Sequence, residues 1–158
     1  MMNIEELKSD EYEEYISKNK YTTFYQKEYW GKLKKEGGWN YKLVGMKKNN
    51  KIVGATLLLF KNLPLGLKLF YSPRGFLIDY TDSKLVKNVT LGLINLLKKQ
   101  HYAFIKIDPP IICSERDNKG NIIYFSNTIN DILQTFKDNH YIHMGFNKYF
   151  ENYKPRLN

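Results

Sequence analysis

A chain of 158 residues with 42% hydrophobic and 15% aromatic content can bury one core and falls within the size of a single domain. The longest apolar run, Ile52 to Phe60, is broken by Gly54 and Thr56 and is far shorter than the roughly 20 residues that span a bilayer, and the acidic stretch Met1 to Tyr15 lacks the apolar centre of a secretory signal. One cysteine, Cys113, allows no internal disulfide, so a cytoplasmic location is expected, and the net charge of +9 favours anionic partners without choosing among phosphates, nucleic acid and a membrane surface.

In chain order, Ser9 and Asp10 are plausible N-caps, with Glu13 placed as in a capping box, for a helix that carries Tyr12, Tyr15 and Ile16 on one face. A second helix is expected from about Gln26 to Glu36. Tyr25, Tyr29, Trp30 and Leu33 have helical spacing and are assigned to packing, and Gly37-Gly38 ends the helix. Tyr41 to Met46 and Ile52 to Phe60, separated by a polar turn, predict an antiparallel hairpin. Asn62, Pro64 and Gly66 break the chain before a strand at Leu67 to Tyr71, and Ser72-Pro73-Arg74-Gly75 leads into a short extended piece through Ile78. Ser83 to Gln100 reads as a helix with Leu85, Val89, Leu93, Leu96 and Leu97 inward, followed by a buried strand, Ala103 to Ile107, that Asp108-Pro109-Pro110 ends. A polar loop, Ser114 to Gly120, precedes an amphipathic helix with Ile129, Ile132, Leu133 and Phe136 on one face, and Tyr141 to Phe146 is expected as a last strand.

This order predicts an α/β (α+β) fold, a mixed sheet with flanking helices, and is similar to the N-acetyltransferase-like fold. Three segments sharpen the likeness: Phe24-Tyr25-Gln26 with Trp30-Gly31-Lys32-Leu33-Lys34; Phe70-Tyr71-Ser72-Pro73-Arg74-Gly75 with Ile78-Asp79-Tyr80; and Lys106-Ile107-Asp108-Pro109-Pro110. Together they resemble the Fem aminoacyltransferases, which build the bridges of peptidoglycan. The resemblance implies transfer of an amino acid from aminoacyl-tRNA to the stem peptide of a cell-wall precursor, either lipid II or UDP-MurNAc-pentapeptide. Contact with the inner membrane surface through lipid II follows from the same resemblance. The family is built from two acetyltransferase-like lobes, and residues 1–158 are expected to form the first alone. Lys154-Pro155-Arg156-Leu157-Asn158 is similar to the family's entry into its next strand. With the second lobe absent, the isolated chain is expected to bind precursor but not to transfer.

An acetyl-CoA enzyme of this fold needs a glycine-rich loop whose free N–H groups cradle pyrophosphate. The corresponding position holds Ser72-Pro73-Arg74-Gly75, where Pro73 has no N–H, so no CoA and no other cofactor is expected. Arg74 lies in a turn at the carboxyl end of a strand, the side of an open sheet where ligands bind, and its planar fork suits phosphate or carboxylate; fixing carbonyls of the turn is the competing role. Lys32, at the border of the aromatic stripe, can reach an anion or pair with Glu28 four residues earlier. In the family, the lysine at this motif position resembles one that contacts the nucleotide-diphosphate end of the precursor. Asp108 can orient or deprotonate the attacking amine, although aspartate before proline is also a good strand terminator, which is the favoured reading from the residues alone.

His140 and His143, three residues apart on the expected strand, point to opposite faces and predict no metal site. The rival to a transferase is a non-catalytic basic module that binds RNA or another anionic polymer. Lys34, Lys35, Lys47, Lys48, Lys98 and Lys99 are scattered across elements with no recognition motif around them, which favours the transferase.

Overall fold

The run Leu57-Leu58-Leu59 is buried on both sides and sets the plan of the fold, because a strand with no solvent face needs cover above and below. In the computed structural model, which describes residues 2–145, this run lies in β3 (Lys51–Asn62), paired antiparallel with β2 (Asn40–Lys48). Asn49 and Asn50, both at positive φ, make the turn between them. The sheet also contains β1 (Met2–Glu6), β4 (Lys68–Ser72) and β5 (Tyr102–Ile107), in the spatial order β1-β2-β3-β4-β5. All neighbours are antiparallel except β4 and β5, which run parallel. β1 falls within the acidic opening stretch, where no strand was expected.

On one face, Val44, Met46, Leu58, Phe70 and Ile78 pack against Val86, Val89, Leu93 and Leu97 of α3 (Ser83–Lys98), whose N-cap Asp82 accepts from the Leu85 N–H at 2.9 Å. On the other, Leu43, Ala55, Leu57, Leu59 and Leu77 meet Tyr12 and Ile16 of α1 (Ser9–Ser17). Trp30 of α2 (Glu28–Glu36) joins this second cluster. The mixed sheet with helices on both faces agrees with the expected α/β class.

Several local expectations are corrected. Lys8, not Ser9 or Asp10, caps α1, and no side chain closes the cap. Glu13 instead accepts from the backbone N–H of Glu28 at 2.8 Å, and so anchors the start of α2. The second helix begins at Glu28, after a separate 3₁₀ turn at Phe24–Gln26 that points Gln26 inward. This changes which face is buried: Tyr29 and Leu33 are 56% and 54% exposed, and the contact point is Gly31, where a Cβ would lie 2.6 Å from the Tyr41 ring.

β5 lies at the edge of the sheet among the described residues, so Phe104 is exposed where a buried strand was expected. The polar loop holds a hairpin, β6 (Ser114–Arg116) with β7 (Ile122–Phe125), whose turn is closed by Asp117 Oδ1 accepting from the N–H groups of Lys119 and Asn121. α4 (Ile129–Asp138) forms as expected. Tyr141 to Gly145 are not in a strand: Tyr141 folds back so that its hydroxyl meets Thr90 Oγ1 of α3 at 2.9 Å. Phe146 and the segment from Lys154 to Asn158 lie outside the described residues.

Candidate functional site

The β3–β4 ladder stops at the Leu59–Tyr71 pair and resumes as a single bridge between Ala55 and Leu77. Between these points Pro73 to Phe76 leaves the sheet, and the facing backbone of β3 loses its partner. A buried side chain fills the gap. Gln26 Nε2 donates to the Gly75 carbonyl at 2.8 Å and to the Pro73 carbonyl, while its Oε1 accepts from the Leu57 N–H at 2.9 Å and the Tyr12 hydroxyl at 3.3 Å. One side-chain amide thus does the work of a strand pair, as buried backbone polar groups require. Ser72 Oγ adds a bond to the Gly75 carbonyl at 2.7 Å and meets Thr56 Oγ1 at 2.6 Å. Gly75, at φ 68°, packs so closely that a Cβ would lie 2.6 Å from the Tyr80 hydroxyl and 2.7 Å from Pro109 Cβ.

This brace presents Arg74, itself at φ 62°, between two clamped carbonyls. Its backbone N–H donates to Asp108 Oδ1 at 2.6 Å, and its guanidinium lies over the Tyr25 ring, 5.9 Å from the centroid. Asp108 follows β5 and Arg74 follows β4, so the parallel pair brings both residues to the carboxyl end of the sheet, where α/β folds place their ligand crevices. The N–H groups of the turn are engaged internally: Arg74 with Asp108, Gly75 with the Ser72 carbonyl, and Phe76 with the Tyr80 hydroxyl. Burial pushes the Tyr80 phenol well above its ordinary range, so it stays a neutral acceptor for Phe76.

Lys32 is not joined to this pair. Its ammonium meets Glu28 Oε2 at 3.0 Å on the exposed side of α2. Glu28 also accepts from Ser9 Oγ at 2.6 Å and from the Tyr41 hydroxyl at 2.9 Å. The Ser9 bond foremost holds the Glu28 carboxyl below its usual value; burial opposes it, and the bonds from Lys32 and Tyr41 add to the lowering. Among the described residues no group of three His, Cys, Asp or Glu side chains could hold a metal, and no helix is long and apolar enough to cross a membrane. Cys113 is exposed.

The residue that sequence reasoning missed is Gln26. It stands in the Phe24-Tyr25-Gln26 motif, but a glutamine beside aromatics reads as the polar side of a helix, and only the gap in the ladder reveals its role.

The chain is 30% identical over 152 residues to the aminoacyltransferase FemA of Staphylococcus epidermidis, covering 95% of this chain and 36% of that protein. It is 27% identical over 139 residues to a lipid II:glycine glycyltransferase of Staphylococcus aureus strain MRSA252, covering 87% and 30%. The chain therefore spans about a third of the length of these curated relatives. Its fold is shared with the crystal structure of FemX, at a TM-score of 0.72 and 23% identity, over 92% of this chain and 33% of that one. The FemAB family model matches residues 7–158, and the chain belongs to the FemAB family.

Proposed function

We propose that this chain is the amino-terminal lobe of an enzyme that moves an amino acid from aminoacyl-tRNA to the stem peptide of a peptidoglycan precursor, lipid II or UDP-MurNAc-pentapeptide. The observation that carries this reading is the braced turn: the Asp108 carboxylate holds the backbone N–H of Arg74 at the carboxyl ends of two parallel strands, with the Arg74 guanidinium over the Tyr25 ring, in a chain of this family.

Arg74 supplies a planar donor for the anionic groups of the precursor, its diphosphate or a carboxylate of its stem peptide. Asp108 receives a proton from the acceptor amine as that amine attacks the ester carbonyl of the aminoacyl-tRNA. The new amide bond forms as the ester C–O bond breaks, and the proton held by Asp108 passes to the departing tRNA oxygen, which leaves as a hydroxyl. Lys32 adds a charge for the diphosphate once it exchanges Glu28 for the ligand. No step calls for CoA. The chain alone binds precursor without transferring, acts in the cytoplasm, and reaches the inner membrane surface through lipid II.

Titration calorimetry with UDP-MurNAc-pentapeptide tests the reading. Saturable binding that Arg74→Asn weakens about tenfold supports it. No precursor binding, together with tight and salt-steep binding of RNA, replaces it with the basic-module reading.

A further inference from the structure

The connection from β3 to β4 turns at the other end of the sheet, through Leu63, Pro64, Leu65, Gly66 and Leu67. Leu65 is 98% exposed, more than any other large apolar side chain among the described residues, and Leu67 beside it is also exposed. Leu65 sits at φ 63°, a conformation that side chains other than glycine and asparagine rarely adopt, with Gly66 at φ 73° after it. Neither full exposure nor left-handed backbone at a leucine stabilises the fold. A residue that carries both is better explained by what it touches outside the chain.

The topology surrounds this tip with cations. Lys61 and Lys68 flank it on β3 and β4, the first 6.0 Å from the centroid of the Trp39 ring and the second 5.6 Å from that of Phe60. The Lys68 N–H donates to the His101 carbonyl at 2.9 Å, which brings Lys98 and Lys99, at the carboxyl end of α3, to the same pole. Residues 61–68 and 98–101 contain four lysines and no carboxylate. These four are in no ion pair among the described residues, a state shared with lysines such as Lys34, Lys35 and Lys48, and what sets them apart is their gathering around one apolar tip.

We infer that this pole docks directly on an anionic bilayer, with Leu65 and Leu67 entering the boundary of the acyl chains and Lys61, Lys68, Lys98 and Lys99 on the phosphate headgroups. A protruding apolar tip inside a basic ring is the arrangement that binds such a surface, since apolar burial and headgroup attraction act together. RNA would use the lysines but not the tip, because bases are held by aromatic stacking and hydrogen bonds that an aliphatic side chain cannot offer. The inference goes beyond the precursor reading, since it requires no lipid II.

Cosedimentation with vesicles of equal parts phosphatidylglycerol and phosphatidylcholine, and with phosphatidylcholine alone, tests it without precursor. The chain is expected to bind the anionic vesicles, less tightly as salt rises. Leu65→Asn suits the left-handed backbone better than leucine, so it keeps the fold while lowering vesicle affinity about tenfold. Lys61→Gln and Lys68→Gln are each expected to lower it about fivefold, and Lys51→Gln, at the opposite end of the β2–β3 hairpin, to leave it unchanged. Unaltered binding by Leu65→Asn overturns the inference. So does binding of single-stranded RNA by a chain that ignores both kinds of vesicle.

Discussion

The side-chain amide of Gln26 donates to the Gly75 carbonyl at 2.8 Å, joining residues 49 apart in sequence and standing in for the strand that β3 lacks at this point. Gln26→Ala would strand the Leu57 N–H and the Pro73 carbonyl, while the Gly75 carbonyl keeps Ser72 Oγ as a donor. Each buried polar group left without a partner costs about 1–3 kcal/mol, so a loss of about 3 kcal/mol is expected in urea unfolding. Gln26→Glu provides the more specific check. A carboxylate cannot donate to the Pro73 and Gly75 carbonyls, so the buried group prefers to be protonated and its folded pKa rises above the unfolded value. Stability of that variant is then greatest below the ordinary carboxylate range and is lost as pH rises through the raised folded pKa. A variant with a flat pH profile, or an alanine variant within about 0.5 kcal/mol of wild type, would show that the brace is not what holds the turn.

Arg74 and Asp108 separate structural from ligand roles. Asparagine tolerates the left-handed backbone at position 74, so Arg74→Asn should keep stability within about 1 kcal/mol while removing the guanidinium. Precursor affinity, read by calorimetry, is expected to fall by about 1.5–3 kcal/mol, the value of a charge-assisted hydrogen bond. Asp108→Asn retains an acceptor for the Arg74 N–H but loses the base. In an enzyme that carries the rest of the family's length, it should lower the rate of transfer far more than precursor binding. Equal effects on binding and rate would make Asp108 a strand terminator that only fixes the turn.

How much of this was legible follows from where each signal resides. The β2–β3 hairpin and α4 are local patterns, an apolar strand pair around Asn49-Asn50 and an apolar stripe, and both elements formed, with Ile129 and Ile132 of the stripe buried and Leu133 exposed. Arg74 and Asp108 were legible as residues after strands, and the parallel pairing of β4 with β5 brings them together. Gln26 was not, because its partners Leu57 and Gly75 are supplied by distant parts of the chain. The exposure of Tyr29 and Leu33 was hidden for a related reason: the register of α2 is set by the approach of Gly31 to Tyr41 and by the inward turn at Gln26, neither of which alters helical periodicity. The β6–β7 hairpin was missed because β6 is a three-residue polar segment and the turn depends on the single side chain of Asp117, although β7 itself is the apolar run Ile122 to Phe125.

The hydrogen bonds on Glu28 give a prediction in pH. Its carboxyl is held below the usual range, foremost by Ser9, so the carboxylate contributes stability that is present above the ordinary glutamate pKa and lost as pH falls through the lowered folded value. Glu28→Gln should cost about 1 kcal/mol at neutral pH. The gap between wild type and variant should close on acidification through that window. A gap that stays constant in urea unfolding across the same pH range would show that the charge on Glu28 contributes nothing.

The last prediction concerns Lys32, whose ammonium lies 3.0 Å from Glu28 Oε2 in an exposed pair. Pairs of this kind on a helix surface are worth about 0.3–0.5 kcal/mol, so Lys32→Ala should barely change stability, and Glu28 keeps Ser9 and Tyr41 as partners when the lysine is gone. If the ammonium moves to the diphosphate of the precursor, the same substitution should weaken UDP-MurNAc-pentapeptide binding about tenfold or more, a loss near 1.5–3 kcal/mol. Glu28→Gln acts in the opposite sense, because it releases Lys32 from its competing carboxylate, and affinity should hold or rise. Lys51→Ala, a lysine at the β2–β3 turn, controls for a general loss of positive charge. Of two substitutions on one ion pair, only Lys32→Ala should then weaken binding if Lys32 serves the ligand. Lys32→Ala with unchanged affinity, in a chain shown to bind the precursor, would confine Lys32 to its helix and leave Arg74 as the cation of the site.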